Sequence, residues 1–135
     1  MTRAYAGGMG TNPGVLRRAV TRLASSAKEH EAQELLKDCV EMGAVPVSEL
    51  PDRELVRVAG TLRTVTLRPR AGVPALVAEL YDGSGVLTVV WLGRRNIEGI
   101  EAGKMIRVHG RVAQRDGQAV VFNPSYELLS GGGVE

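Results

Sequence analysis

The sequence predicts an all-β protein, a small closed barrel of five strands with an α-helix appended on its N-terminal side. Three observations predict this architecture. Residues 52–130 contain five short runs that mostly alternate apolar and polar side chains, the period of half-buried strands. Glycine-containing turn sequences separate these runs. Residues 15–44 instead place apolar side chains three or four positions apart, as one face of a helix does.

The helical extension is expected at 15–44. Its apolar stripe includes Leu16, Leu23 and Cys39, so Cys39 is expected to be a small core residue rather than a nucleophile. Ser25 and Ser26 weaken the stripe and leave a break in the helix open at that point. The other expected segments are a disordered N-terminus at 1–14 and a Pro-containing linker at 45–51. The barrel follows at 52–130, and a flexible glycine-rich tail at 131–135.

The five strands are read from "ELVRVAGTLRTVTLRP", "PALVAELY", "GVLTVVWLG", "KMIRVHGRVAQ" and "AVVFNPSYELL". Alternation assigns one set of side chains to the interior: Val56, Val58, Leu76, Ala78, Leu80, Leu87, Val89, Trp91, Ile106, Val108 and Val112. It assigns another set to the outside: Arg57, Glu79, Tyr81, Thr88, Arg107, His109 and Arg111. A short barrel of such strands closes its own edges and fills its interior with aliphatic side chains.

The connections between strands agree with a barrel of antiparallel hairpins. "DGSG" at 82–85 separates strands two and three, and "RDGQ" at 115–118 contains Asp-Gly, a strong hairpin signal. The connector "RRNIEGIEAG" at 94–103 is too short for more than a turn or two of helix.

Basic charge is concentrated in the barrel segment. The chain has a net charge of +2, but residues 53–115 carry eleven basic and five acidic side chains, and ten of the eleven are Arg. Arg suits bidentate contact with phosphate, so this segment suggests an anionic ligand such as nucleic acid. A coding preference of a GC-rich genome for Arg over Lys is the alternative explanation.

Several segments, taken in order, resemble one known fold. "VRVAGTL", "LYDGSG", "EAGKMIRVHGRV" and "NPSYELL" resemble the five-stranded Greek-key barrel of the nucleic-acid-binding OB-fold over roughly residues 52–130. The resemblance is to the domains found in RecG-like helicase wedges and to the anticodon-binding domains of class II tRNA synthetases. It implies that strands two and three form the ligand-facing surface, flanked by the loops that follow strands one and four.

The resemblance and the charge pattern together predict which residues of that surface and its flanking loops bind nucleic acid. They are Arg63, Arg68, Arg70, Tyr81, Thr88, Trp91, Arg94, Arg95 and Arg115. A solvated rim of arginines is the alternative for the basic positions. Tyr81 is the best stacking candidate, whereas Trp91 either stacks at the groove edge or plugs the barrel, and Phe122 is expected in the core. One or two stacking side chains predict weak, sequence-tolerant binding.

A second basic group lies on strand four. Arg107, His109 and Arg111 alternate, so they share one outer face. That face is expected to lie away from the ligand surface and to meet acidic side chains of the helix, Glu31 and Glu34.

The sequence favours a binding protein over an enzyme. It has no nucleophile elbow, Walker-type loop or metal-ligand cluster, and one cysteine and two histidines support few catalytic constellations, so no cofactor and no metal are expected. No apolar run is long enough to span a membrane, and a cytoplasmic location is expected.

The expected partner is single-stranded or branched nucleic acid, with DNA favoured over RNA. A rival hypothesis is a protein-interaction adaptor that uses the barrel and the N-terminal helix as a docking surface. The helix stripe could also mediate homodimerisation.

Overall fold

A computed structural model describes residues 13–129. In chain order the elements are α1 (Pro13–Glu41), a 3-10 turn (Val47–Glu49), β1 (Leu55–Leu67), β2 (Ala75–Tyr81), β3 (Val86–Leu92), β4 (Met105–Arg115), β5 (Gln118–Phe122) and β6 (Ser125–Leu129). The disordered N-terminus predicted for 1–14 and the flexible tail predicted for 131–135 lie outside the described residues, except that α1 begins at Pro13.

The helix α1 is continuous through Ser25 and Ser26, so the break left open at these serines does not occur. It ends where Gly43 adopts a φ of 85°, a left-handed conformation that glycine reaches without steric cost. The chain divides into two compact units at Glu31 and Ala32, inside this helix. The second unit contains the end of α1 and the barrel.

The barrel closes in the order β1-β2-β3-β5-β4, with β4 pairing back to β1. β3 and β5 are parallel and the other pairs are antiparallel, so the prediction of a closed five-stranded OB-type barrel with an N-terminal helix is confirmed. The predicted fifth strand is bent into β5 and β6 at Asn123, which has a φ of 53°, and Pro124. Both halves pair with the same edge of β4.

β1 is long enough to serve two parts of the barrel wall. Its first half, Leu55–Thr61, pairs with β4, and its second half, Thr61–Leu67, pairs with β2. A bulge interrupts the register between Leu62 and Thr64, which bends the strand and leaves Arg63 exposed on the outside.

The barrel interior contains the side chains that alternation assigned to it. All eleven predicted inward positions are buried, and Ile97 and Ile100 of the β3–β4 connector join them. Burial of each Leu, Ile or Val side chain contributes roughly 1.5–3 kcal/mol relative to exposure. The two-residue period of the sequence therefore identifies the side chains of the core.

The β2–β3 turn is held by a buried carboxylate. Asp82 is 1% exposed, and its Oδ1 accepts hydrogen bonds from the Ser84 N–H at 2.8 Å, the Ser84 hydroxyl at 2.8 Å and the Gly85 N–H at 3.1 Å. Its Oδ2 accepts from the Val47 N–H at 2.8 Å. Gly83, with a φ of 95°, lies so close to the carbonyl of Ala32 that a Cβ would overlap it. Asp82 thus ties the segment after α1 to the hairpin.

The end of α1 is attached to the barrel by a small apolar cluster. Cys39 and Ala44 are buried against Ala59 of β1, with Met105 and Leu129 at the edge. Burial raises the pKa of the Cys39 thiol to about 11, with a smaller contribution from the negative charge of Asp82. The expectation that Cys39 is a core residue is confirmed. Within residues 13–129, no helix is long and apolar enough to cross a membrane.

Candidate nucleic-acid interface

One concave surface of the barrel lies across β2, β3 and β5 and between two hairpin loops. We call it the groove. It has a volume of about 490 Å³ and is lined by Arg68, Pro69, Arg70, Val77, Thr88, Val90, Arg115, Asp116, Val120 and Phe122. Four predicted site residues therefore meet here, namely Arg68, Arg70, Thr88 and Arg115.

Two tight turns of the same kind present Arg70 and Arg115. In "RAGV", Arg70 is followed by Ala71, with a φ of 51°, and by Gly72, with a φ of 81°. In "RDGQ", Arg115 is followed by Asp116, with a φ of 54°, and by Gly117, with a φ of 77°. Positive φ at both central residues is the requirement of a type I′ hairpin turn. Each arginine thus occupies the strand position that directly precedes the turn.

The Phe122 ring lies close to both of these arginines. The guanidinium carbon of Arg70 is 5.6 Å from the centre of the Phe122 ring, and that of Arg115 is 5.4 Å from it. Both distances are within the range of cation–π attraction. Phe122 is half-buried on the outside of the barrel and packs beside Val77, Val90 and Val120 rather than in the interior. The prediction that Phe122 is a core residue is therefore wrong.

A second hollow of about 200 Å³ shares Arg68, Val77 and Thr88 with the groove and extends it along β1 and β2. Its other lining side chains are polar: Thr64, Thr66, Glu79 and Gln118. The Gln118 amide donates a hydrogen bond to the Thr88 hydroxyl oxygen at 3.2 Å. The surface thus combines an apolar aromatic floor with a row of hydroxyl and amide groups that can bond to base edges or sugars.

Tyr81 lies on the outer side of β2, as predicted, at the opposite end of the strand from the groove loops. The Arg63 guanidinium stacks over its ring at 4.5 Å from the ring centre. This pair does not line the groove. One face of the Tyr81 ring is occupied by Arg63, so a base would stack on the other face or on the guanidinium plane.

Trp91 is not available for stacking. It is 4% exposed, and its indole N–H donates to the Pro124 carbonyl at 3.2 Å. Its ring meets Tyr126 edge to face, with ring centres 5.8 Å apart. Of the two roles that the sequence left open for Trp91, the structure supports the barrel plug.

Arg94 and Arg95 are exposed in the β3–β4 connector and do not line the groove. They directly follow Gly93, whose N–H donates to the Pro74 carbonyl at 2.7 Å. This bond places the pair beside the β1–β2 loop, at the margin of the candidate surface.

The second basic group lies on the outer side of β1, β4 and β6. A hollow of about 230 Å³, which we call the rear pocket, is lined by Arg57, Arg107, Val108, His109, Ser125, Tyr126 and Glu127. Arg107 bonds to Glu127, with 3.0 Å between Nε and Oε1, and donates to the Met42 carbonyl at 3.3 Å. The expected pairing of Arg107 with Glu34 is therefore wrong, because Glu127 of β6 supplies the carboxylate.

The groove provides the two interactions that hold a nucleic-acid strand without a sequence requirement. Its arginines can neutralise phosphates, and its aromatic ring can stack on a base. Within residues 13–129, no three His, Cys, Asp or Glu side chains come close enough to hold a metal ion.

Comparison with known proteins agrees with this fold. Residues 56–129 match the family model described as the OB-fold nucleic acid binding domain. One similar solved structure is that of RecG bound to a three-way DNA junction, with a TM-score of 0.56 and 22% sequence identity over 64% of this chain. The match spans 13% of the RecG chain, and at this identity it shows the fold alone.

No curated protein matches the sequence. The family match covers more than half of the 135 residues and includes every strand of the closed barrel. The chain therefore belongs to the OB-fold nucleic acid binding domain family.

Proposed function

We propose that the protein binds single-stranded or branched nucleic acid in the groove, through the Arg-rich loops and the β2–β3 face. The observation that carries this proposal is the position of Phe122 close to both Arg70 and Arg115 on the groove floor. The Phe122 ring and the two guanidinium planes beside it offer a base stacking surfaces, and the guanidinium groups offer the adjoining phosphates positive charge.

The composition of the groove favours weak selectivity among sequences. Stacking on Phe122 tolerates any base, because each base has a π-face. The polar neighbours Thr64, Thr66 and Gln118 are neutral groups that can rotate to donate or accept. Glu79 also lines the hollow and would repel phosphate, so the bases rather than the backbone should face β2.

We propose DNA rather than RNA as the ligand, and a location in the cytoplasm, where both are present. The motivation for DNA is that a structure of the same fold, RecG, is bound to a three-way DNA junction. We further propose that the protein acts by binding, without catalysis, since the groove supplies arginines, hydroxyls and an aromatic ring rather than an acid–base pair.

The test is fluorescence anisotropy with labelled single-stranded DNA, single-stranded RNA and duplex DNA, at low and at moderate salt. We expect single-stranded DNA to bind best, with an affinity that falls steeply as salt rises, because phosphate neutralisation releases counterions. Absence of binding to all three at low salt would refute the proposal. Preference for RNA would refute the choice of DNA alone.

Two matched double variants locate the site. Arg68→Ala/Arg70→Ala removes two guanidinium groups from the groove, and Arg94→Ala/Arg95→Ala removes two from its margin. We expect the first to weaken binding of single-stranded DNA at least about tenfold and to reduce the salt slope by roughly 1.4, and the second to act less. Tyr81→Ala tests whether the Arg63–Tyr81 pair extends the site. Equal effects of the two double variants would argue against the groove.

A second candidate function is protein interaction or self-association through α1. The observation that favours it is exposure of apolar side chains on that helix, since Val20 is 58% exposed and Leu23 is 72% exposed. Light-scattering mass measurements across protein concentrations, with Val20→Ser/Leu23→Ser as the comparison, test it. If the wild-type protein and the variant are both monomers at every concentration, the hypothesis of homodimerisation is rejected.

A further inference from the structure

The rear pocket gathers basic side chains, of which only Arg107 has a carboxylate partner among residues 13–129. Arg57 and His109 are direct cross-strand partners on β1 and β4. Arg107 and Arg111 are therefore the diagonal neighbours of Arg57, and such neighbours lie within reach of long side chains. Three guanidinium groups and one imidazole thus share a small area of the barrel wall.

The flanking arginines are held in place by bonds to oxygen. Arg107 is bonded to Glu127 and to the Met42 carbonyl, and Arg111 donates to the Arg53 carbonyl at 2.7 Å. Among residues 13–129 the ion pairs are Arg107–Glu127 and Arg53–Asp52, and neither includes Arg57 or Arg111. Arg107 and Arg111 are therefore held in place before any ligand arrives, and the surface keeps a net positive charge.

We infer that the rear pocket binds a backbone phosphate of a second nucleic-acid segment while a single-stranded segment lies in the groove. This inference rests on the proposed function of the groove. The pocket volume of about 230 Å³ accommodates a phosphate group, and Arg57, Arg107 and His109 provide charged or polar N–H donors around it. Tyr126, which also lines the pocket, adds a neutral hydroxyl donor, whereas the Ser125 hydroxyl already donates to the His109 carbonyl at 3.3 Å.

The two surfaces lie on different parts of the barrel wall. Arg57 of β1 lines the rear pocket, and Arg68, which directly follows β1, lines the groove. The eleven-residue separation corresponds to at most about 36 Å at roughly 3.3 Å per residue, and the bulge in β1 shortens the direct distance. A ligand that occupies both must wrap around the barrel or carry a second arm, as a branched nucleic acid or a duplex with a single-stranded tail does.

The experiment compares two labelled probes by anisotropy at one salt concentration. The first is a six-nucleotide single strand, and the second is a DNA hairpin that carries the same six nucleotides as a tail. We expect wild-type protein to bind the tailed hairpin about tenfold more tightly. We expect Arg57→Glu to abolish this advantage and to change the affinity for the six-nucleotide strand by less than about twofold.

Lys104→Glu is the matched control, since it makes the same change in net charge at an exposed position outside both surfaces. It should retain most of the advantage, and Arg57→Gln should lose part of it. Thermal melting of each variant confirms that it is folded.

The results separate this inference from the proposed function. A wild-type protein that shows no preference for the tailed hairpin, or an Arg57→Glu protein that keeps the preference, would overturn the rear pocket as a phosphate site. Binding of the tailed hairpin that depends on Arg57, without binding of the short strand, would support the rear pocket and reject the groove. Failure of both probes to bind would overturn both.

Discussion

The groove and the rear pocket are both walled by arginines of one barrel, yet different groups lie beside those arginines. In the groove, Arg70 and Arg115 lie close to the Phe122 ring above a floor of valines. In the rear pocket, Arg107 bonds to the Glu127 carboxylate and a backbone carbonyl.

The difference concerns what each surface can recognise. Arginine over an aromatic ring leaves its N–H donors free for phosphate and adds a stacking surface for bases. Arginine bonded to carboxylate and carbonyl oxygens has already used part of its donor capacity. Positive charge alone therefore does not distinguish the two faces, whereas the partners of each guanidinium do.

The largest expected effect comes from a change that destabilises the barrel on which both faces lie. Asp82→Ala deletes a buried carboxylate that accepts four hydrogen bonds and leaves their donors unpaired. We expect the free energy of unfolding to fall by about 3 kcal/mol. Urea denaturation measures it, with Asp82→Asn, which keeps one acceptor oxygen, as the milder control. A loss below about 1 kcal/mol would contradict the structural role of Asp82.

The second effect should be confined to the groove. Phe122→Leu keeps an apolar side chain on the floor but removes the stacking ring close to Arg70 and Arg115. We expect the affinity for single-stranded DNA to fall about tenfold, since stacking contributes roughly 1–3 kcal/mol per base. Tyr126→Leu, at the rear pocket, is the matched aromatic control and should leave this affinity unchanged. The comparison fails if the two variants bind equally well.

A smaller effect is expected from a single groove charge. Arg115→Ala should lower the slope of log affinity against log salt by roughly 0.7, the contribution of one phosphate on single-stranded DNA. The salt titration is repeated with Arg94→Ala, which removes one arginine outside the groove. An unchanged slope for Arg115→Ala would show that this arginine serves the hairpin turn rather than the ligand.

The smallest effect concerns the ion pair of the rear pocket. Glu127→Gln removes the carboxylate that partly neutralises Arg107. The Glu127 side chain of this ion pair is largely exposed to solvent. We expect stability to change by less than about 1 kcal/mol, as for other surface pairs. Because the pocket becomes more positive, the tailed hairpin should bind up to about twofold more tightly. Thermal melting and anisotropy measure the two quantities, and weaker binding would indicate that Glu127 orders Arg107 for the ligand.

The sequence predicted the strands and their inward faces because most runs alternate with a two-residue period. Thr88, a single polar residue in an apolar run, was enough to orient β3. The Asp-Gly pair at 116–117 predicted a hairpin turn, and both residues have the positive φ that this turn requires.

Phe122 was misassigned because its run lacks the alternation on which the other predictions depended. Residues 119–122 are all apolar, so alternation is absent and the run does not reveal which side faces the interior. In the barrel, Ala119 and Val121 point inward, while Val120 and Phe122 join the outer cluster. The pairing of β5 with β3 and β4 decides which side chains face the interior, and the sequence of the run alone does not.

The partner of Arg107 was equally inaccessible to sequence reasoning. Acidic candidates on the helix and on the last strand are both compatible with the charge pattern. The antiparallel register of β4 and β6 places Glu127 directly opposite Arg107. A cross-strand partner depends on a register that is set by distant contacts.

By itself, the sequence determined the strand runs, the hairpin turns and the concentration of arginine in the barrel segment, because these depend on local periodicity, turn chemistry and composition. The tertiary structure alone decided that Arg70, Arg115 and Phe122 share one groove, although 52 residues separate the first from the last. The physical reason is that barrel closure and strand register are set by packing of the whole core, which brings distant positions together.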